Sequence, residues 1–417
     1  MARLAIDQAP AASLPRRFLL SAPLWGMFAG ALLLADGDAL LRSRWHPAAL
    51  ALVHVFTLGV LGNVMFGSVL QFLPAAAGVR VRGGMLWGAP LHALFNLGAL
   101  LLVAGLHQNW HAALLGAGVL LPLAFVLLAA MTLPGLLAAA GQRLLRAGLG
   151  VAIASGVLTA LLGGALALAL ADGRAWPVIA LVDVHACWGV LGWMVVLLAS
   201  VARVVMPMFQ GTATPPARWQ ALWLGSTLAM LCGTAWWRLT HADARWLADA
   251  VALHATLFAC AALWLQSRVP RQRRNPLLGC WRAGLVVLLL AAFALVAGPR
   301  GGLLAGALGL GIALPLLLLG MSLEIIAFID WIDLHRRCGR GVHLPGVQRL
   351  LPDSDKRGVL LAQLPLLLLP AAVLWPSAWL ARGAGLALLL AWLGAWSALR
   401  GVRRRANGFL LTLEDRP

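Results

Sequence analysis

The stretch LVHVFTLGVLGNVMFGSVLQFLP, residues 52–74, decides the fold. As a helix its apolar run is long enough to cross a bilayer, which takes about 20 residues. Within the run sit His54, Asn63, Gln71 and three glycines, Gly59, Gly62 and Gly67. Hydrocarbon offers no partner to an imidazole or an amide, so these groups must face other helices of a bundle.

The remaining sequence repeats the pattern. The chain has 417 residues, 62% of them hydrophobic and 11% charged, a composition of polytopic membrane proteins and not of soluble globules. Apolar runs recur at about 18–36, 48–74, 84–106, 112–137, 147–171, 178–208, 219–237, 246–266, 281–299, 302–332, 358–378 and 384–401. The expected fold is therefore all-α, with twelve transmembrane helices in one integral membrane domain spanning residues 1–417.

The formal charge of +18 reads as topology, because the basic residues lie between the apolar runs. Lys and Arg number 24 on the side shared by the two termini and 7 on the other, with Arg203 inside a span. This bias places both termini in the cytoplasm of a cell bounded by an inner membrane, and no nucleic-acid partner is expected. Residues 1–17 then form a cytoplasmic N-terminus before an uncleaved first helix, 330–357 a cytoplasmic loop, and 402–417 a cytoplasmic tail. The arginine-rich segment 268–276 lies on the same side. Five scattered cysteines form no C-x-x-C pair, so neither a disulfide nor a cysteine metal site is expected.

A weak internal repeat links two spans. HVFTLGVLGNVMFGSVLQFLP (54–74) and HACWGVLGWMVVLLASVARVVMP (185–207) each open on a histidine, continue through GVLG and close on proline. The offset of 131 residues suits three pseudo-repeats of four helices, the third centred near Leu316 without its histidine.

Depth sorts the polar residues. His54, His185 and His254 each lie seven or eight residues into a helix that runs inward, roughly 10–12 Å deep at 1.5 Å per residue. Intramembrane histidines are functional candidates. Neutral imidazole ligates heme iron, and two on facing helices can clamp a heme inside a bundle. His54 and His185 are the leading cofactor or metal ligands, with His254 a third candidate. Gly189 and Gly192 share a face with His185 and leave room there for a flat ring or a close helix, whereas Gly59 and Gly62 read as packing glycines. Asp183 is a candidate to orient a ligand or relay a proton. Arg203 and Glu324 both fall in the inner third and are expected to form a buried pair or part of a proton path. His92, Asn96 and Gln71 suit hydrogen bonding between helices. His46, His107, His111, His241 and Asp243 lie in outer loops as a candidate copper site.

With these residues placed, the chain resembles the heme-copper oxidase subunit I superfamily. The blocks HVFTLGVLGNVMFGSVLQFLPAAAG, VDVHACWGVLGWMVVLLASVARVVMPMFQ and EIIAFIDWIDLHRR are more similar to its bacterial oxidase-like relatives, the NnrS-type group that contains heme and copper. The resemblance implies a low-spin heme ligand at His54 and a metal ligand at His185. The oxidase pattern is nevertheless broken. No Pro-Glu follows His185, the seventh helix lacks an adjacent histidine pair, the tenth lacks His-x-His, and the chain has no tyrosine. The expected function is a protein that binds heme b, serves electron transfer or the response to nitrosative stress with a redox partner, and is not an oxygen reductase. Two further readings stand beside it: a transporter or metal-handling permease using the intramembrane polar residues, and a non-catalytic membrane partner of a respiratory complex that docks through 330–357.

Overall fold

The computed structural model describes residues 9–173, 175–241, 243–270, 275–298, 301–338 and 341–414, and among these there are helices and turns but no strand. Eleven helices are long and apolar enough to cross a membrane. They are α1 (Ser13–Leu41), α2 (Pro47–Ala77), α3 (Gly84–Gln108), α4 (His111–Ala138), α5 (Arg143–Asp172), α6 (Val178–Gln210), α8 (Arg245–Ser267), α9 (Pro276–Val296), α10 (Gly301–Arg337), α11 (Asp353–Leu374) and α12 (Ala378–Leu413). The remaining long helix, α7 (Ala217–Thr240), has the length of a span but not its composition. Arg218, Gln220, Ser226, Thr234 and Arg238 interrupt its apolar surface. The protein is an all-α polytopic membrane protein, and eleven of its helices meet the standard that twelve were expected to meet.

Two boundaries differ from those read in the sequence. α10 continues to Arg337, so all of DWIDLHRR is helix and not loop. α12 likewise passes through residue 402 and remains helical to Glu414. The cause is a clasp of charges at this end of the bundle. Asp330 of α10 receives Arg16 of α1, and Arg403 of α12 reaches Asp333 at 2.7 Å and Asp330 at 3.4 Å. Arg405 bonds the Leu350 carbonyl at 2.6 Å and Asp355 at 2.9 Å. Polar residues that would otherwise end a helix in solvent find partners while helical. Residues 1–8, 271–274, 339–340 and 415–417, which fall within expected cytoplasmic segments, lie outside the described residues.

Every fourth helix is central. The middle portions of α2, α6 and α10 are 72%, 78% and 83% buried, against 39–50% for the other eight spans. The same three helices each contain a widened π-helical segment, at Val55–Gly62, Trp188–Val195 and Gly309–Ala313. Both GVLG quartets fall inside these segments, so the sequence repeat marks where the helix is wound wide, a feature concentrated at functional sites. The third π segment begins a few residues before the position expected near Leu316.

Small residues let the outer helices close on this centre. A Cβ at Gly30 of α1 would stand 2.6 Å from the Gly385 carbonyl of α12, so these backbones touch. At Gly59 a Cβ would lie 2.5 Å from the Trp25 ring, and at Gly62 one would lie 2.6 Å from Phe95. Both glycines serve packing, as expected from the faces they occupy.

Candidate functional site

The site is built on α2 and α6. His54 is the last residue before the first π segment, and His185 lies three residues before the second. Their ring centroids are 6.3 Å apart and their planes 28° from parallel. Each ring is fixed by a backbone carbonyl. His54 Nδ1 donates to Leu50 O at 2.7 Å, one turn earlier, and His185 Nδ1 donates to Thr159 O of α5 at 3.0 Å. A carbonyl can only accept, so in both rings Nδ1 carries the proton and Nε2 keeps its lone pair. Metal-ligating histidines adopt this arrangement, one nitrogen anchored and the other open.

The two rings are carried by separate sets of helices. α2 leans on α1 and α3, while α6 leans on α5, α7 and α8, and over this stretch the α2 and α6 backbones are not packed together. Both imidazoles are only half-buried. Gly163 of α5 lets the His185 ring lie flat against that helix, where a Cβ would come within 2.8 Å of Cε1. Gly189 and Gly192 belong to the same seam, facing Thr159 and Ser155. Of the two uses expected for them, the structure shows close helix contact.

Two imidazoles restrict what can be held. Among the described residues no group of three or more His, Cys, Asp or Glu side chains is gathered as a metal site. A bare zinc or copper ion takes three or four protein ligands, whereas heme iron needs only axial ones because the macrocycle supplies the rest. The open nitrogens of these two rings, 6.3 Å apart by centroid, are the donor set the structure offers such a group.

The other expected site residues lie elsewhere. His254 of α8 donates from Nδ1 to Ala250 O at 2.9 Å, and its Nε2 faces the Ser226 hydroxyl of α7 at 3.2 Å. It joins α7 to α8 and does not approach the pair. Asp183 does not orient His185; it accepts from Arg238 Nε at 3.0 Å and Arg44 at 3.4 Å. The expected pair of Arg203 with Glu324 is not formed. Arg203 donates to Pro215 O at 2.7 Å and Gln220 Oε1 at 2.8 Å, while Glu324 accepts from Lys356 Nζ at 2.7 Å. Shared depth did not imply shared azimuth, and each group has a nearer partner. The outer-loop residues do not assemble a copper site either. His46 caps α2, His107 bonds Asp36 at 2.6 Å, His241 stacks on Trp237 at 3.8 Å, and Asp243 accepts from the Arg245 amide.

Sequence reasoning missed two arrangements. Asn63 bridges the π segment to α3, donating to Gly59 O at 2.8 Å and exchanging amide hydrogen bonds with Asn96 at 3.0 and 3.1 Å. Trp25 of α1 also donates to Asn96, at 2.8 Å. His92 bonds Ser21 of α1 at 2.9 Å, so the polar face of α3 does link helices, though to residues of α1 and α2 other than Gln71. The second arrangement is Lys356 with Glu324. Its signal was present, since Lys356 is the one lysine in a chain that otherwise uses arginine.

Compared with known proteins, the chain matches no protein-family model and no curated protein.

Proposed function

We propose that the chain is a heme-binding protein of the bacterial inner membrane with an oxidase-like bundle, holding one heme b between α2 and α6 through His54 and His185. The observation that carries this reading is the imidazole pair, 6.3 Å apart with both Nδ1 atoms anchored on carbonyls. The charge bias puts this end of the bundle outside and both termini in the cytoplasm. Heme bound there would supply a reversible one-electron couple. His54 and His185 would hold it, and the chain would contribute their fixed tautomers and an apolar surround, a setting suited to electron exchange with a redox partner. A response to nitric oxide or related stress is the other role this reading includes. Oxygen reduction is not proposed, because the chain lacks the histidine pairs and the tyrosine of that chemistry.

The test is a pyridine hemochrome assay with metal analysis on purified protein. Wild type is expected to hold one heme b per chain, and His54→Ala and His185→Ala to lose it or to shift the Soret band, with imidazole restoring the spectrum. A folded wild type without a Soret band, or a double variant with unchanged heme, overturns the reading.

A further inference from the structure

A separate chamber lies on the face of α6 turned away from His185. A half-open cavity of about 280 Å³ is lined mainly by α6, α8, α9 and α10. It exists because α10 presents Gly302, Gly306 and Gly309 to it, and α8 presents Ala248 and Ala252. A Cβ added at Gly306 would meet nothing within 4 Å. The lining runs from Asp183 to Val195 on α6 and from Gly302 to Leu314 on α10. Twelve steps along each helix, part of them through the π segments with their shorter rise, make a slot of at most about 18 Å, comparable to one leaflet of a hydrocarbon core about 30 Å thick.

One end of the slot is charged and the rest is apolar. Arg44, from the link between α1 and α2, and Asp183 stand together at the end nearer the membrane surface. Asp183 is shared by two guanidiniums, Arg238 at 3.0 Å and Arg44 at 3.4 Å. The cluster therefore carries a net positive charge. Arg44 is the looser of the two, with its side chain 53% exposed, its stem 4.0 Å from the Gly302 position and its guanidinium over the Trp45 ring at 4.5 Å. Donors of Arg44 remain open at the mouth, and a planar guanidinium matches a carboxylate bidentately.

We propose that this slot binds a single long-chain fatty acid, its carboxylate on Arg44 and its chain lying inward between α6, α8, α9 and α10. A purely apolar occupant would leave the positive mouth unused, and the glycine, alanine, valine and leucine lining inward of it suits a hydrocarbon chain. The site is distinct from the imidazole pair and does not depend on heme.

The experiment is equilibrium binding of tritiated palmitate to the full chain in dodecyl maltoside, with hexadecanol as the uncharged competitor. Saturation at one palmitate per chain is expected, with hexadecanol at least about tenfold weaker. Arg44→Gln should weaken palmitate by about the same factor and leave hexadecanol unchanged. Gly306→Leu, which grows into the slot, should abolish binding of both while elution volume and unfolding temperature hold. If Gly306→Leu does not fold, Ala252→Leu serves the same purpose. Binding that does not saturate, that is equal for hexadecanol, or that survives the filled slot overturns the proposal.

Discussion

Replacing Lys356 by methionine tests how the end of the bundle that carries both termini is held. The ammonium lies 2.7 Å from Glu324, and the two side chains are only 6% and 9% exposed. A second carboxylate, Asp353, stands 3.5 Å away but is 41% exposed and keeps its water. Methionine preserves most of the volume, so little of the loss is a packing term. What it removes is the cation beside a buried carboxylate, and breaking a buried pair costs about 3–5 kcal/mol. Removing both charges together, with Glu324→Gln and Lys356→Met, should return stability to within about 1 kcal/mol of wild type, because neither desolvation cost remains. With each single substitution costing about 3–5 kcal/mol, the double-mutant cycle should return a coupling energy of about 5 kcal/mol or more. The assay is denaturation in mixed micelles followed by tryptophan fluorescence, comparing midpoints of the four proteins. A loss below about 1 kcal/mol for Lys356→Met, or a double variant as unstable as the sum of the singles, refutes the assignment of this pair as a buried clasp.

The packing of α2 can be probed at Gly59. Gly59→Ala drives a methyl into the Trp25 ring and should cost about 1–3 kcal/mol, whereas Gly279→Ala, which meets nothing within 4 Å, should be neutral in the same unfolding assay. Asn63→Leu removes the paired amide bonds to Asn96 and the bond to the Gly59 carbonyl, an expected loss of about 1–3 kcal/mol in the same assay. On the proposed function, His254→Gln should leave the heme content of the purified protein unchanged by pyridine hemochrome, since its Nε2 faces Ser226 and not the imidazole pair.

Much of this architecture could be read from apolar runs alone. Each run became a helix, and the ends moved where distant residues intervened. Arg16 and Asp330 are separated by 314 positions, and no local pattern announces that they meet. α7 was drawn as a span from its length, yet its arginines and hydroxyls fall short of the composition of one. The His54 and His185 pairing was legible because two histidines at one depth both preceded GVLG. The Arg203 and Glu324 pairing failed on the same kind of argument, since depth fixes the level of a residue along the membrane normal but not the direction it faces. Lys356 lay just outside the run assigned to α11, so it was counted as a loop charge although it folds inward as the first turn of that helix.

The π segment after His54 carries a geometric consequence. One extra residue in a helical turn rotates everything before it by about 100° relative to everything after it. The upper part of α2, which aims His54 at His185, and the lower part, which aims Asn63 at Asn96, are therefore set to independent azimuths within one continuous rod. A single-residue deletion between Val55 and Gly62 would straighten that rod, keep the amide seam seated on α3, and swing the imidazole away from its counterpart without altering either side chain.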